Sequence, residues 1–173
     1  MGEGTAPRPL SGERAHLRPV AESDLPTLVA ILAEPAVREW WGAYDVERLR
    51  RDLDDEDVRA WAIEVDGEVA GLIQATEEPE PDYRYVEVDL FLHPDHHGRG
   101  IGADALRTVL RHHFEDRGHH KAIICPAAAN ARAIRSYQSV GFRPVGTLRE
   151  AERAPDGRWR DALLMEMLAA ELR

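Results

Sequence analysis

Residues 87–106 read Glu-Val-Asp-Leu-Phe-Leu-His-Pro-Asp-His-His-Gly-Arg-Gly-Ile-Gly-Ala-Asp-Ala-Leu. In this stretch a strand pattern gives way to three alternate glycines and then to helical spacing. From Tyr85 to Leu92, Val86, Val88, Leu90 and Leu92 fall on one face and Tyr85, Glu87, Asp89 and Phe91 on the other, the period of a strand. From Gly100 to Arg117, Ile101, Ala105, Leu106, Val109, Leu110 and Phe114 keep the spacing of a helix, and Gly118 ends it. Backbone N–H groups of a glycine turn at a helix start converge on an anion, and a pyrophosphate is the natural guest, with Arg99 adding charge. The glycines also admit a plainer reading, a turn that packs closely. There is no G-x-x-x-x-G-K-[ST], and the third glycine comes one residue too early for G-x-G-x-x-G.

On either side of this segment strands and helices succeed one another. His16 to Val20 reads as a strand, and Ser23-Asp24 caps a helix with the stripe Leu25, Leu28, Val29 and Leu32. A short helix from Asp45 through Leu53 is followed by the acidic loop Asp54 to Asp57. Trp61–Val65 and Glu68–Ile73 form a hairpin about Asp66-Gly67, a pair that accepts the positive φ angles of a tight turn. Beyond the long helix come a buried strand over 122–125, a helix over 130–140 closed by Gly141, and strands meeting at Pro155-Asp156-Gly157. The order predicts one domain over 13–173, of α/β (α+β) class, behind a loose Gly- and Pro-containing tail over 1–12.

Composition narrows the function. With 173 residues, 43% hydrophobic and 31% charged, the chain can bury a core, which excludes disorder for most of the sequence. No apolar run approaches the roughly 18 residues of a membrane span, and the start carries no apolar signal segment, which predicts a cytoplasmic protein. One cysteine, Cys125, makes neither an internal disulfide nor a cysteine zinc cage. The net charge of −10 is unevenly spread: residues 41–90 hold sixteen acidic side chains against five arginines, whereas residues 98–135 hold seven basic against three acidic. Such a division suits a polycationic substrate beside a phosphate-bearing cofactor; solvated faces are the other reading.

The segment 90–106, taken with Asn130-Ala-Arg-Ala-Ile-Arg-Ser-Tyr-Gln-Ser-Val-Gly-Phe142, strongly resembles the GNAT superfamily of acetyl-CoA-dependent N-acetyltransferases, over Leu17 to Leu168. The resemblance implies a mixed, largely antiparallel sheet flanked by helices and splayed between its fourth and fifth strands (85–92 and 122–125), where acetyl-CoA binds as co-substrate. Gly98, Arg99, Gly100, Ile101, Gly102 and Ala103 inherit the pyrophosphate turn. Leu90, Phe91 and Leu92 would align the pantetheine and acetyl group by backbone hydrogen bonds, Asn130 would contact the cofactor, and Tyr137 would lie near its sulfur. His97 stands where many members carry Gln or Arg.

Within the superfamily the chain looks closest to aminoglycoside 6′-N-acetyltransferases, an antibiotic-resistance activity, through Val37 to Gly42, Asp89, the helix about Tyr137 and the Pro155-Asp156-Gly157 turn. That likeness places Asp89 before the substrate amine and makes Trp40 and Trp41 its pocket wall, although the two tryptophans equally suit a core. Cys125 occupies a position where those enzymes often carry a substrate-binding Asp. The segment Asp156 to Glu166 also resembles members that acetylate protein or metabolite amines. The implied partner is a small polycationic amine, with no nucleic acid or membrane involved, and the chain acts as a monomer or homodimer.

The residue chemistry agrees. An amine must lose a proton to attack a thioester, and Asp89 is the candidate base, with Glu87 sharing the work or binding a second ammonium group. The bland reading of this pair is two outward carboxylates. Tyr137 can protonate the departing thiolate or serve as a helix contact. The paired histidines 93, 96, 97, 112, 113, 119 and 120 do not converge as metal ligands, and Cys125 has no neighbouring base to make it a nucleophile. Two other functions stay open: acetylation of a protein, peptide or metabolite amine, and a non-catalytic acyl-CoA-binding module.

Overall fold

A computed structural model describes residues 7–173. Its eight strands are β1 (Leu10–Ser11), β2 (His16–Pro19), β3 (Val58–Val65), β4 (Glu68–Glu78), β5 (Tyr85–Leu92), β6 (Lys121–Ile124), β7 (Arg143–Arg153) and β8 (Trp159–Leu168). They form one sheet in the order β1-β2-β3-β4-β5-β6-β8-β7. Every neighbouring pair is antiparallel except β5 and β6, which run parallel. The helices are α1 (Leu25–Ala33), α2 (Pro35–Trp41), α3 (Val46–Leu53), α4 (Ile101–Arg111) and α5 (Ala131–Val140). This is the α/β fold expected from the sequence.

Strand alternation gives the sheet two apolar faces. Leu72 and Phe91 join Leu25, Leu28, Leu32, Val37 and Leu49 in a core under α1–α3. Val86, Val88 and Leu92 join Leu106, Val109, Leu110, Val140 and Phe142 under α4 and α5. Asp66 and Gly67 take positive φ angles of 54° and 83° in the hairpin turn, as Asp-Gly predicts.

Several local expectations are corrected. Within the expected tail, Leu10–Ser11 pairs with β2 and the Trp61 indole N–H donates to the Arg8 carbonyl, while residues 1–6 lie outside the described residues. Asp24 sits at the N-cap of α1, yet its carboxylate turns back to the Arg18 guanidinium and the Ala21 N–H, because a charged partner outcompetes a helix amide. The 35–41 stretch is helical and starts on Pro35. The helix expected through Arg117 ends as α at Arg111 and widens into a π turn over His112–Asp116, where the Arg117 N–H reaches the His112 carbonyl. β6 stops at Ile124, which leaves Cys125 just beyond the strand.

One polar node fixes the closed end of the sheet. The Glu77 carboxylate on β4 accepts from Arg59 on β3 and from Arg117 and His119 beyond the π turn, at 2.6–2.9 Å. Burial alone would raise its pKa, but these bonds prevail and hold it well below the usual carboxylate range. β5 pairs with β6 at this same end, through Val86–Ala122 and Glu87–Ile123. Glu77→Gln removes the shared anion of the part-buried Arg59 and Arg117 and is expected to cost on the order of 1–3 kcal/mol at pH 7. A depressed folded pKa gives stability that is present above the ordinary value and lost below it, so urea midpoints of variant and wild type should converge in acid. Equal midpoints at pH 7 would remove Glu77 from the framework.

Candidate active site

Past Glu87, β5 has no ladder partner in β6. The strands part there, and a cleft of about 600 Å³ runs through the gap, bounded by Trp40 and Trp41, by β5 from Asp89 to Leu92, by the glycine turn and by α5. That volume lies within the range of small-molecule sites. The splay inferred from resemblance is therefore present between β5 and β6, the additional strand β1 having moved the count by one.

The glycine turn divides its work. Gly98 and Gly100 adopt φ angles of +72° and +76°, in the left-handed region that side chains avoid. Gly102 instead permits close packing: a Cβ there would lie 3.3 Å from Leu92 and 3.5 Å from Leu90. Close packing is thus the role of Gly102, while Gly98 and Gly100 set the backbone of the turn. At Gly100 an added Cβ would meet only Arg14, at 3.6 Å, so Gly100→Val is opposed by backbone strain and not by crowding. We expect this variant to fold and to bind acetyl-CoA at least about tenfold more weakly, since a turn forced out of its φ loses N–H groups from the anion cradle. Unchanged affinity by calorimetry would remove the turn from the site.

His97 ties the turn to the rest of the cleft. Its Nε2–H donates to the Leu92 carbonyl at 2.9 Å, and its Nδ1 accepts from Arg132 on α5 at 2.8 Å. Burial and the Arg132 charge both lower its pKa, in keeping with the neutral tautomer these bonds require. Asn130 lines the cleft and caps α5, its Oδ1 accepting from the Ala133 N–H at 3.1 Å.

Asp89 lies where the cleft passes through the sheet. Its Oδ1 accepts from the Leu90 N–H at 2.9 Å, which fixes the carboxylate. Protein surrounds the group while its side chain stays open to the cleft; burial raises its pKa to about 7, the Leu90 bond opposes the rise, and the charges of Glu87 and Glu152 add to it. Tyr137 borders the same cleft, 8% exposed, its pKa raised by burial and by the Asp89 charge. Cys125 is pushed up to about 11 by burial and by Glu87 and Asp89, which keeps it a thiol at neutral pH.

Trp40 and Trp41 both face the cleft, and Trp41 also packs edge-on against Phe91 with ring centroids 5.0 Å apart, so pocket and core readings coincide there. Arg160 on β8 reaches α2, donating to the Glu39 and Trp40 carbonyls and to the Glu152 carboxylate. It thereby fastens the tryptophan wall to the β7–β8 hairpin. Glu87, Arg99 and Ile101 do not line the cleft: Glu87 lies in the β5–β6 pairing, Arg99 approaches His96, and Ile101 is 3% exposed in the core. Gln74 and Glu152 do line it and were missed from sequence. Gln74 stands opposite Asp89 in the β4–β5 register, so strand pairing was the signal for it.

The model of the Acetyltransferase (GNAT) domain matches residues 14–143. The chain belongs to the GNAT acetyltransferase family. Among curated proteins, this GNAT chain is 27% identical over 167 residues to the aminoglycoside N(6′)-acetyltransferase type 1 of Klebsiella pneumoniae, covering 85% of this chain and 81% of that one. It is 25% identical over 162 residues to the spermidine N(1)-acetyltransferase of Escherichia coli K12, covering 90% and 86%. Among solved structures, Mycobacterium smegmatis RimJ in complex with CoA-disulfide superimposes with a TM-score of 0.84 at 25% identity, over 99% of this chain and 92% of that one. The GNAT chain is accordingly an acetyl-CoA-dependent N-acetyltransferase. No helix among its described residues is long and apolar enough to cross a membrane.

Proposed function

We propose that the enzyme moves an acetyl group from acetyl-CoA to a primary amine of a small polycationic molecule, the 6′-amine of an aminoglycoside or an amine of similar character. The observation that carries this reading is Asp89, a carboxylate in a cleft shared with Tyr137, with its pKa brought to about 7. Support for the acceptor class comes from relatives named for aminoglycoside and spermidine acetylation.

Acetyl-CoA supplies the thioester. The glycine turn and the N-terminus of α4 suit its pyrophosphate, and the unpaired edge of β5 beyond Glu87 is where its pantetheine arm would run. Asp89 draws in the substrate ammonium and takes its proton, which frees the nitrogen lone pair. As the C–N bond forms and the C–S bond breaks, the second amine proton passes to water in the open cleft, and Asp89 returns its own proton to solvent before the next turnover. Tyr137, held in its phenol form, donates a proton to the departing sulfur and recovers one from solvent.

Thiol release with aminoglycosides, polyamines, amino acids and basic peptides as competing acceptors tests the substrate class. Aminoglycosides or polyamines are expected to react most efficiently, with KM for the amine rising several-fold between about 0.02 and 0.15 M salt while kcat changes little. A preference for basic peptides, or a salt-independent KM, would overturn the assignment.

A further inference from the structure

The turn between β1 and β2 is built around a carboxylate of the cofactor helix. Asp104, in the first turn of α4 and 8% exposed, accepts backbone N–H groups from Glu13, Arg14 and Ala15 at 3.1, 2.8 and 3.1 Å. The Gly12 N–H closes the turn on the Ala15 carbonyl at 2.9 Å. Gly12 has no room for a side chain, since a Cβ there would lie 2.3 Å from Asp104 Oδ2. Three converging N–H groups also offset the Asp104 charge, which would otherwise repel an anion at the start of α4.

This fixed turn carries Arg14 to the glycine cradle. Its Nε and Cδ lie 3.6 and 3.8 Å from the Cβ position of Gly100. The side chain is exposed, and its guanidinium makes no hydrogen bond or ion pair with another described residue. An arginine without a partner is ordinary on a surface. One whose backbone is held by a buried carboxylate beside an anion-binding turn has already met part of the ordering cost of binding.

We propose that Arg14 is a phosphate-binding residue for the CoA pyrophosphate, positioned by Asp104. This rests on the acetyl-CoA reading above. From its place beside Gly100, outside the cleft lining, the guanidinium would close over the glycine turn onto the pyrophosphate, adding charge-assisted hydrogen bonds to those of the turn. Arg99, the cation that sequence placed in this role, is directed to His96.

Calorimetry with CoA and dephospho-CoA on wild type, Arg14→Ala and Arg14→Lys tests the assignment. Arg14→Ala is expected to weaken both ligands on the order of tenfold, the scale of a hydrogen bond to a charged group, with Lys recovering part of the loss. The penalty should vanish when acetyl-pantetheine, which carries no phosphate, replaces acetyl-CoA as donor. Asp104→Asn should weaken CoA as well, and adding Arg14→Ala to it should then cost much less than in wild type, the signature of positioning. Wild type that binds CoA with Arg14→Ala unchanged would overturn the proposal alone. A penalty confined to CoA and absent with dephospho-CoA would reassign Arg14 to the ribose phosphate and overturn the pyrophosphate contact. Wild type that binds no CoA would overturn the cofactor reading beneath it.

Discussion

Asp89→Asn should lower kcat by on the order of 100- to 10,000-fold near pH 7, the range of a positioned general base, with partial recovery at high pH where free amine forms unaided. The substitution keeps shape while removing a charge and a proton acceptor, so activity loss alone does not separate base from anchor. Loss of an anchor appears mainly in KM, and loss of the base in kcat. Because burial raises the Asp89 pKa to about 7, the wild-type rate should fall as the pH drops through that value, and this limb should be missing from the variant. The folded-state pKa exceeds the ordinary 3.8, so folding favours the protonated form, and the penalty of ionised Asp89 grows as pH rises from about 4 to 7. Asp89→Asn should therefore raise the thermal midpoint at pH 8 and leave it nearly unchanged at pH 4. A variant with wild-type kcat from about pH 6 to pH 9 would transfer the base role to a water chain.

Tyr137→Phe is the second large effect. The phenol is held protonated by burial and by Asp89, so at working pH it can only donate. Its loss should lower kcat on the order of 100-fold with KM for the amine nearly unchanged. A donor thioester with a more acidic thiol needs no proton on departure, and with it the gap between variant and wild type should close. A gap of equal size with both donors would make Tyr137 a packing residue against Phe142, whose ring centroid lies 6.3 Å away.

How much was legible in the sequence follows from how local each signal is. The alternation of Tyr85 to Leu92, the glycine turn and the helical spacing after it are short-range patterns, and they placed β5 and α4, whereas the gap between β5 and β6 followed from the family resemblance. The seven residues of α2 are too few to show a helical stripe, and the tryptophan pair at its end resembles a strand or loop as much as a helix. The two residues of β1 carry no periodicity at all, and their pairing depends on a turn organised by Asp104 some 90 positions away. Glu152 reaches the cleft only because β7 and β8 close the far side of the sheet, and Arg160 bridges back to α2 across 120 positions. Glu87 shows the converse. Strand alternation put it on the same face as Asp89, but the one place where β5 pairs with β6 takes it out of the cleft.

Single-turnover transfer tests direct attack by the amine most squarely. Enzyme preloaded with acetyl-CoA is mixed with an excess of polyamine or aminoglycoside, and thiol, N-acetyl product and protein mass are followed together. Thiol and N-acetyl amine should appear at the same rate and in equal amounts, with no acetyl on the protein, since the Cys125 thiol, with its pKa near 11, stays protonated. Acetyl accumulating on Cys125 before product forms, or thiol release without any N-acetyl amine, would contradict it.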